Sequence, residues 1–208
     1  MIVGVLAVQG DFAEHISTLN RIGVVTHEVR LPSDLDNVDA LIIPGGESTT
    51  LRKLFDNYAL SAPIIERAHL GTPIWGTCAG MIMLARELTD DRPEPLNLMN
   101  ITVTRNAYGR QINSFVAPVK CPMLGPDNFN GIFIRAPSVT NISESVKIIG
   151  KLDDDSPVAL LENNIMVTSF HPELTNDTRF HELFCKIVES NKIDSQKQFP
   201  TSSETTKK

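Results

Sequence analysis

Strand-like and helix-like blocks alternate through the first half of the chain. The block at 2–8, IVGVLAV, is apolar throughout and has the length of a strand that is buried on both faces of a sheet. Further strand-like blocks follow at 24–30, 39–44 and 73–77. Because a longer segment separates each block from the next, the pattern predicts a parallel sheet with helices on both faces.

The segments between these strands predict the helices. In 11–23, apolar side chains recur at helical spacing, and Asp11 is placed to cap the first turn, with Glu14 three residues later. Gly23 is placed to end this helix. Further helices are predicted at 49–57, 61–70 and 79–89.

The second half changes character, because short strand-like blocks follow one another with only turn residues between them. These blocks lie at 101–106, 114–121, 131–136, 146–152, 157–163 and 165–170. They predict additional, antiparallel strands, and a last amphipathic helix is predicted within 175–190. We therefore expect one three-layer α/β domain over 1–190, with a mixed, mostly parallel sheet, and a polar, disordered tail over 191–208.

Composition narrows the class of protein. Hydrophobic residues make up 41% of the 208 residues, and the net charge of −6 argues against a nucleic-acid binder. No apolar run approaches the ~20 residues that a membrane span requires. The three cysteines, Cys78, Cys121 and Cys185, form no Cys-x-x-Cys pair, so we expect neither a disulfide framework nor a cysteine metal site. A reducing, cytoplasmic location fits these features.

The stretch GTCAG places Cys78 between a predicted strand and a predicted helix. Gly-x-Cys-x-Gly in this setting is the nucleophile-elbow pattern with cysteine in place of serine. The sharp turn leaves little room for side chains two residues to either side, which favours Gly76 and Gly80 there. The alternative is a buried, space-filling thiol, which is the interpretation we give to Cys121 and Cys185.

A cysteine nucleophile needs a base, and His171 is the candidate. It follows a strand-like block and precedes Pro172, which favours an extended backbone. In an extended chain, residues two apart face the same side, so Glu173 can reach one ring nitrogen and leave the other for Cys78. The alternative is a turn of solvent-facing polar residues. Surface or packing roles are expected for the other histidines, His15, His27, His69 and His181.

These stretches resemble a known family. GTCAG at 76–80, SFHPE at 169–173 and PGGEST at 44–49 are similar to the three motifs of the class I (triad) glutamine amidotransferases. Three further stretches narrow the resemblance to the PdxT/SNO glutaminase subunits of pyridoxal 5′-phosphate synthase; they are QGDFAEH at 9–15, RNAYGRQ at 105–111 and FIRAP at 133–137. The resemblance covers about residues 1–190 and implies that family's flavodoxin-like fold.

The resemblance implies a role for each matched residue. Cys78 is similar to the family's nucleophile, His171 to its general base and acid, and Glu173 to its orienting carboxylate. The family's glutamine-binding positions match Gly46, Glu47, Ser48, Arg105, Ile134 and Arg135. Its oxyanion hole matches the backbone of Ala79, Gly45 and Gly46.

The implied reaction is hydrolysis of L-glutamine to L-glutamate and ammonia, with neither a metal nor an organic cofactor. The implied partner is a (β/α)8-barrel synthase subunit that uses the ammonia to build pyridoxal 5′-phosphate in a hetero-oligomeric complex. Nucleic acid and membrane are not expected as partners.

Two other functions remain open from the sequence. The first is the glutaminase subunit of another amidotransferase, serving histidine, anthranilate or GMP synthesis, which RNAYGRQ and FIRAP disfavour. The second is a non-catalytic binding or redox-sensing protein with an elbow cysteine, which the intact His171-Pro172-Glu173 disfavours.

Overall fold

A computed structural model of the chain describes residues 1–105 and 114–198, the last five of them by their backbone only. The strands are β1 (Ile2–Leu6), β2 (Val25–Val29), β3 (Ala40–Ile43), β4 (Ile74–Thr77), β5 (Ala85–Leu88), β6 (Met99–Thr104), β7 (Ser114–Val119), β8 (Phe129–Ile134), β9 (Ser138–Ile142), β10 (Lys147–Lys151), β11 (Pro157–Glu162) and β12 (Ile165–Thr168). The helices are α1 (Phe12–Arg21), α2 (Ser48–Asn57), α3 (Ser61–His69), α4 (Ala79–Leu84) and α5 (Arg179–Gln198).

A seven-stranded sheet in the order β10-β11-β12-β4-β3-β1-β2 forms the centre of the molecule. All neighbours from β12 to β2 are parallel, and β10 and β11 extend the sheet in antiparallel fashion. The part β2-β1-β3-β4-β12 has the strand order of flavodoxin-like folds. The carboxyl ends of the parallel strands lie at one edge, so the loops that follow β1, β3, β4 and β12 meet there.

Helices cover both faces of this sheet, as the alternating pattern predicts. On one face, α2, α3 and α4 bury apolar side chains that include Leu51, Ile64 and Met81. On the other face, α1 and α5 do so with side chains that include Leu19 and Phe184. Burial of these two apolar layers supplies the main stabilising free energy of the fold.

Two smaller sheets lie outside the central one, in the orders β5-β6-β9 and β7-β8. The helix predicted over 79–89 is therefore wrong in its second half, because α4 ends at Leu84 and the chain continues as β5. Glu87 and Leu88 pair with Thr102 and Val103 of β6. The apolar run up to Leu84 suits either conformation, and only the partner strand decides where the helix ends.

The last helix is longer than the sequence predicts. α5 continues to Gln198, past the boundary expected at residue 190, and the remainder of the predicted tail, 199–208, lies outside the described residues. Within the described part of the chain, none of the helices combines the length and apolarity needed to cross a membrane.

Glu162 joins the β5-β6-β9 sheet to the central sheet. It ends β11 and is 5% exposed. Its carboxylate accepts hydrogen bonds from the backbone N–H of Asn100 (2.8 Å), from the Asn100 side-chain amide (2.7 Å) and from the Ser145 hydroxyl. Burial raises the pKa of Glu162, but these hydrogen bonds outweigh it and lower the pKa below 4.5.

We expect the variant Glu162→Gln to be less stable than the wild type by about 1.5–3 kcal/mol at neutral pH, the usual contribution of hydrogen bonds to a charged group. Because the folded-state pKa is depressed, this stabilisation is present above pH 4.5 and is lost as the pH falls through the folded-state value. Urea unfolding at neutral and acidic pH measures both effects. Glu144→Gln, at an exposed position, is the control. A difference between variant and wild type that persists unchanged in acid would contradict this assignment.

Candidate active site

Cys78 lies in the turn between β4 and α4 with φ +46° and ψ −101°, a backbone conformation that side-chain-bearing residues rarely adopt. A Cβ on Gly80 would lie 2.0 Å from the carbonyl oxygen of Ile43. A Cβ on Gly76 would lie 2.5 Å from the carbonyl carbon of Gly80. This confirms that the turn requires glycine on both sides of the cysteine.

Backbone contacts with neighbouring strands hold this turn in place. The Cys78 N–H donates to the carbonyl of Thr168 at 2.8 Å, which ties the turn to the end of β12. Cys78 is 6% exposed, and its Sγ lies 3.8 Å from the carbonyl oxygen of Ile134. Ala79 is the first residue of α4, so its N–H has no acceptor within that helix.

His171 lies beside Cys78 and is oriented by Glu173. Its Nδ1 is 2.8 Å from Glu173 Oε1, and its backbone N–H donates to Ile132 of β8 at 2.8 Å. Both side chains are almost fully buried, at 3% and 4% exposure. The predicted pairing is therefore present. The predicted extended backbone is not, because Pro172 begins a 3-10 turn, Pro172–Leu174, that brings Glu173 back to the ring.

Asp11 is a second carboxylate at the same imidazole nitrogen. Its Oδ2 lies 3.2 Å from His171 Nδ1. The prediction that Asp11 caps α1 is wrong, since its side chain makes no capping hydrogen bond. Asp11 directly follows the loop after β1, and β1 ends at the same sheet edge as β4 and β12. That shared edge was the signal in the sequence that could have placed Asp11 at the site.

Burial and mutual hydrogen bonds shift the pKa values of the three titratable groups in this cluster. Burial opposes protonation of His171, but hydrogen bonds with Asp11, Cys78 and Glu173 outweigh it and raise the pKa of His171 above 6.5. The hydrogen bond with His171 lowers the pKa of Asp11 below 3.8. Burial raises the pKa of Glu173 above 4.5. Oxygen and nitrogen atoms of Asp11, His171 and Glu173 lie within 4.8 Å of one another, close enough to share a proton or a cation.

The loop after β3 packs directly against this cluster. A Cβ on Gly45 would lie 2.4 Å from His171 Cε1, so only glycine fits at this position. Gly46 has φ +144°. The side-chain amide of Gln9 holds the backbone of the following residue, Glu47. Gln9 Nε2 donates to the carbonyl of Glu47 at 3.2 Å, and Gln9 Oε1 accepts from the Glu47 N–H at 3.4 Å.

The Glu47 carboxylate acts as the N-terminal cap of α2. It accepts from the N–H groups of Thr49 (3.0 Å) and Thr50 (2.6 Å) and from the Thr50 hydroxyl (2.7 Å). Burial raises the pKa of Glu47, but these hydrogen bonds dominate and lower it to about 2. The side chain therefore has a structural task in addition to its position beside the cavity.

A cavity of about 300 Å³ opens beside Cys78 and has the size of a small-metabolite site. It is lined by Asp11, Gly46, Glu47, Ser48, Cys78, Ile82, Arg105, Ile134, Arg135 and His171. The cavity thus brings together eight of the residues that the sequence predicts for the site. The other three, Gly45, Ala79 and Glu173, are not part of the lining.

The two arginines give the cavity a cationic side. Arg105 is held by Asp90, with Nε and Nη2 at 2.9 and 2.7 Å from Oδ2, while Nη1 is 3.5 Å from the Thr49 hydroxyl. Arg135 has φ +43°, a strained conformation at the end of β8. Asp90 already occupies the Nε and Nη2 edge of Arg105, so Nη1 of Arg105 and the guanidinium of Arg135 are the groups that this side offers to an anionic group of a ligand. The remainder of RNAYGRQ, 106–111, lies outside the described residues.

Comparison with known proteins agrees with this geometry. The model of the SNO glutamine amidotransferase family matches residues 5–190. The pyridoxal 5′-phosphate synthase subunit PdxT of Herpetosiphon aurantiacus is 52% identical over 187 residues, which cover 88% of this chain and 98% of that protein. PdxT of Chloroflexus aurantiacus is 50% identical over 190 residues, which cover 90% of this chain and 100% of that protein.

Solved structures show the same fold. A crystal structure of a glutamine amidotransferase matches with a TM-score of 0.85 and 41% identity, covering 91% of this chain and 100% of that one. A putative GMP synthase subunit from Thermoplasma acidophilum has a TM-score of 0.68 at 17% identity, a likeness in fold alone. The predicted amidotransferase-like α/β fold is confirmed. The chain belongs to the SNO glutamine amidotransferase family.

Proposed function

We propose that the protein hydrolyses L-glutamine to L-glutamate and ammonia and supplies the ammonia for pyridoxal 5′-phosphate synthesis. The observation that carries this proposal is the meeting of a strained, glycine-flanked Cys78 with the buried His171–Glu173 pair at one cavity. Membership of the SNO family and relatives called PdxT support the same reaction.

In the first half-reaction, Cys78 Sγ attacks the side-chain amide carbon of glutamine. Asp11 and Glu173 hold Nδ1 of His171, which leaves Nε2 for the thiol, and the resulting imidazolium stabilises a thiolate. The oxyanion is assigned to the N–H of Ala79 and an N–H of the Gly45–Gly46 loop. His171 then protonates the departing ammonia, and a γ-glutamyl thioester remains on Cys78.

In the second half-reaction, water replaces ammonia. His171 accepts a proton from this water, which attacks the thioester and releases L-glutamate. Arg105 and Arg135 are assigned to the carboxylate of the substrate, and Gly46, Glu47, Ser48 and Ile134 to the walls around it. No step requires a metal or an organic cofactor, and in this mechanism a proton lies between His171 and the two carboxylates. We assign the protein to the cytoplasm, because the reaction needs Cys78 as a reduced thiol.

The ammonia produced is mostly protonated in neutral water, and ammonium cannot attack a carbonyl group. A synthase subunit docked to the protein would receive ammonia before it is protonated. We assign this role to a synthase subunit in a hetero-oligomeric complex, since the relatives are called synthase subunits. That this subunit is a (β/α)8 barrel is an expectation from the family resemblance. Glutaminase subunits of histidine, anthranilate or GMP synthesis are disfavoured by those names. Complementation of a vitamin B6 auxotroph lacking its own glutaminase subunit distinguishes these cases and also excludes a non-catalytic redox sensor.

We expect Cys78→Ala to abolish glutaminase activity and labelling by an electrophilic glutamine analogue, because no other thiol can form the thioester. Cys121→Ala and Cys185→Ala are matched controls. Burial raises the pKa of Cys121 and raises that of Cys185 to about 11, so both thiols stay protonated. Ammonia release and mass spectrometry of the labelled protein measure the outcome. Glutamine hydrolysis that survives Cys78→Ala would refute the assignment.

We expect the protein to hydrolyse glutamine slowly alone and faster when its synthase subunit is added, since docking can set the Gly45–Gly46 loop that faces Cys78. Steady-state glutaminase rates over a titration of the synthase measure this effect. Addition of an unrelated (β/α)8-barrel protein is the control. Equal rates with and without the synthase would contradict the expectation.

We expect Asp11→Asn to move the alkaline limb of the kcat/KM profile to lower pH. Asp11 helps to raise the pKa of His171, and the imidazolium is lost as the pH rises through that pKa. Without Asp11 the loss therefore begins at a lower pH. Glutaminase rates across neutral and alkaline pH test this, with the exposed Asp36→Asn as control. An unchanged or upward-shifted alkaline limb would show that Asp11 does not act on His171.

A further inference from the structure

A second pair of histidines lies behind Glu173, on the side away from the cavity. His15 of α1 and His181 of α5 are both fully buried, with His15 Nδ1 3.0 Å from His181 Nε2. His15 Nε2 lies 3.3 Å from the Thr77 hydroxyl and 3.4 Å from Glu173 Oε2. His15 thus places a ring nitrogen beside the oxygen of Glu173 that His171 does not use, and His181 and Thr77 contact the same His15 ring.

The partners of these rings select their tautomers. Among the described residues, neither Glu173 Oε2 nor His181 Nδ1 has a well-formed hydrogen bond. If His15 carries its proton on Nε2, that N–H faces Thr77 and Glu173, and His15 Nδ1 accepts from His181 Nε2–H. The opposite tautomers would set the lone pair of His15 Nε2 against the carboxylate. They would also bury an unpaired N–H at His181 Nδ1, which is a costly arrangement.

Both rings are neutral at physiological pH. Burial lowers the pKa of His15 well below 6.5, and a positive charge on His181 or His171 would lower it further. Burial also lowers the pKa of His181 to about 3, helped by Arg21. The charged or titratable groups that face Glu173 are therefore His171 and Asp11 on one side and neutral His15 on the other.

We propose that His15 is a positioning residue whose Nε2–H holds Glu173 Oε2, so that Oε1 stays on His171 Nδ1, and that His181 fixes the required tautomer of His15. The inference rests on the proposed function, since it concerns the orientation of that reaction's base. A contact of 3.4 Å is long for a hydrogen bond, and such contacts often tighten only when substrate is bound.

The physical consequence of losing this donor is specific. A buried carboxylate oxygen with no donor is penalised in its ionised form, so the pKa of Glu173, which burial already raises, rises further. Protonated Glu173 no longer supports the imidazolium of His171. Because activity needs the ionised carboxylate and is lost as the pH falls through its pKa, the acid limb of the rate profile moves to higher pH.

The test compares two substitutions at one position, measured in the complex with the synthase. His15→Leu keeps the bulk and removes the donor, whereas His15→Gln keeps an amide N–H near the position of Nε2. We expect His15→Leu to lower kcat by about 10- to 100-fold, the usual effect of removing an outer partner of a functional histidine, with KM for glutamine almost unchanged. His15→Gln should recover most of kcat and the wild-type acid limb. The control is His69→Leu, at an exposed histidine of α3.

Equal losses in both variants, or a kcat of His15→Leu equal to that of the wild type, would overturn the inference. Should His15→Leu fail to fold, ¹⁵N NMR of histidine-labelled wild-type protein decides the question. We expect His15 and His181 to be neutral at neutral pH, each with its proton on Nε2, and a proton on His15 Nδ1 would overturn the inference. If the wild-type complex releases no ammonia from glutamine, the proposed function fails instead, and the NMR result stands independently.

Discussion

The close approach of three backbone segments around Cys78 is the constraint on which the site depends. β4 must turn into α4 within one residue, while the carbonyl of Ile43 in the adjacent strand leaves no room for a Cβ on Gly80. The cost is a strained φ of +46° at Cys78. The gain is that the sulfur is held between the loop after β3 and the end of β12. Because those two strands flank β4, strand order alone places the glycine loop on one side and His171 on the other.

Several groups of the site are held by contacts that lie outside the cavity. The backbone N–H of His171 donates to the carbonyl of Ile132 in β8, and the backbone N–H of Cys78 donates to the carbonyl of Thr168 at the end of β12. The Glu47 carboxylate stabilises the start of α2 and so fixes the loop that carries Gly46. A buried ionised group is tolerated only when it is paired. The buried Glu173 and the half-buried Asp11 both face the imidazole of His171, while the exposed Glu47 accepts from N–H groups at the start of α2. Stability of the fold and preorganisation of the site therefore rest on the same contacts.

Much of this arrangement is predictable from the sequence where the information is local. The turn at Cys78 can be predicted because its glycines lie two residues away, and the His171–Glu173 pair because the two residues are neighbours in the chain. Asp11 and His15 are different. Both belong to a segment whose helical pattern also suits an ordinary cap and a packing histidine. The titratable groups that they contact, His171, Glu173 and His181, are more than 150 residues away in the chain. Likewise, β5 is a strand because it pairs with β6, a contact that the local sequence does not show. Its residues continue the helical pattern of α4, and the sequence therefore predicts a longer helix.

The contacts that hold each part of the site also indicate which part a docked partner protein could move. Backbone hydrogen bonds hold Cys78 to β12 and His171 to β8, and both residues are buried together with Glu173, so a partner that docks on the surface would not displace them directly. The Gly45–Gly46 loop is different, since Gly46 is exposed and has a positive φ that glycine can leave. Side-chain contacts of Gln9 with Glu47, and of Glu47 with the start of α2, hold this loop. A peptide rotation there would alter which groups face the sulfur without disturbing the core. In the proposed mechanism, activation by docking would then act on the oxyanion side of the reaction, while the proposed nucleophile Cys78 and the proposed base His171 keep the positions that the fold gives them.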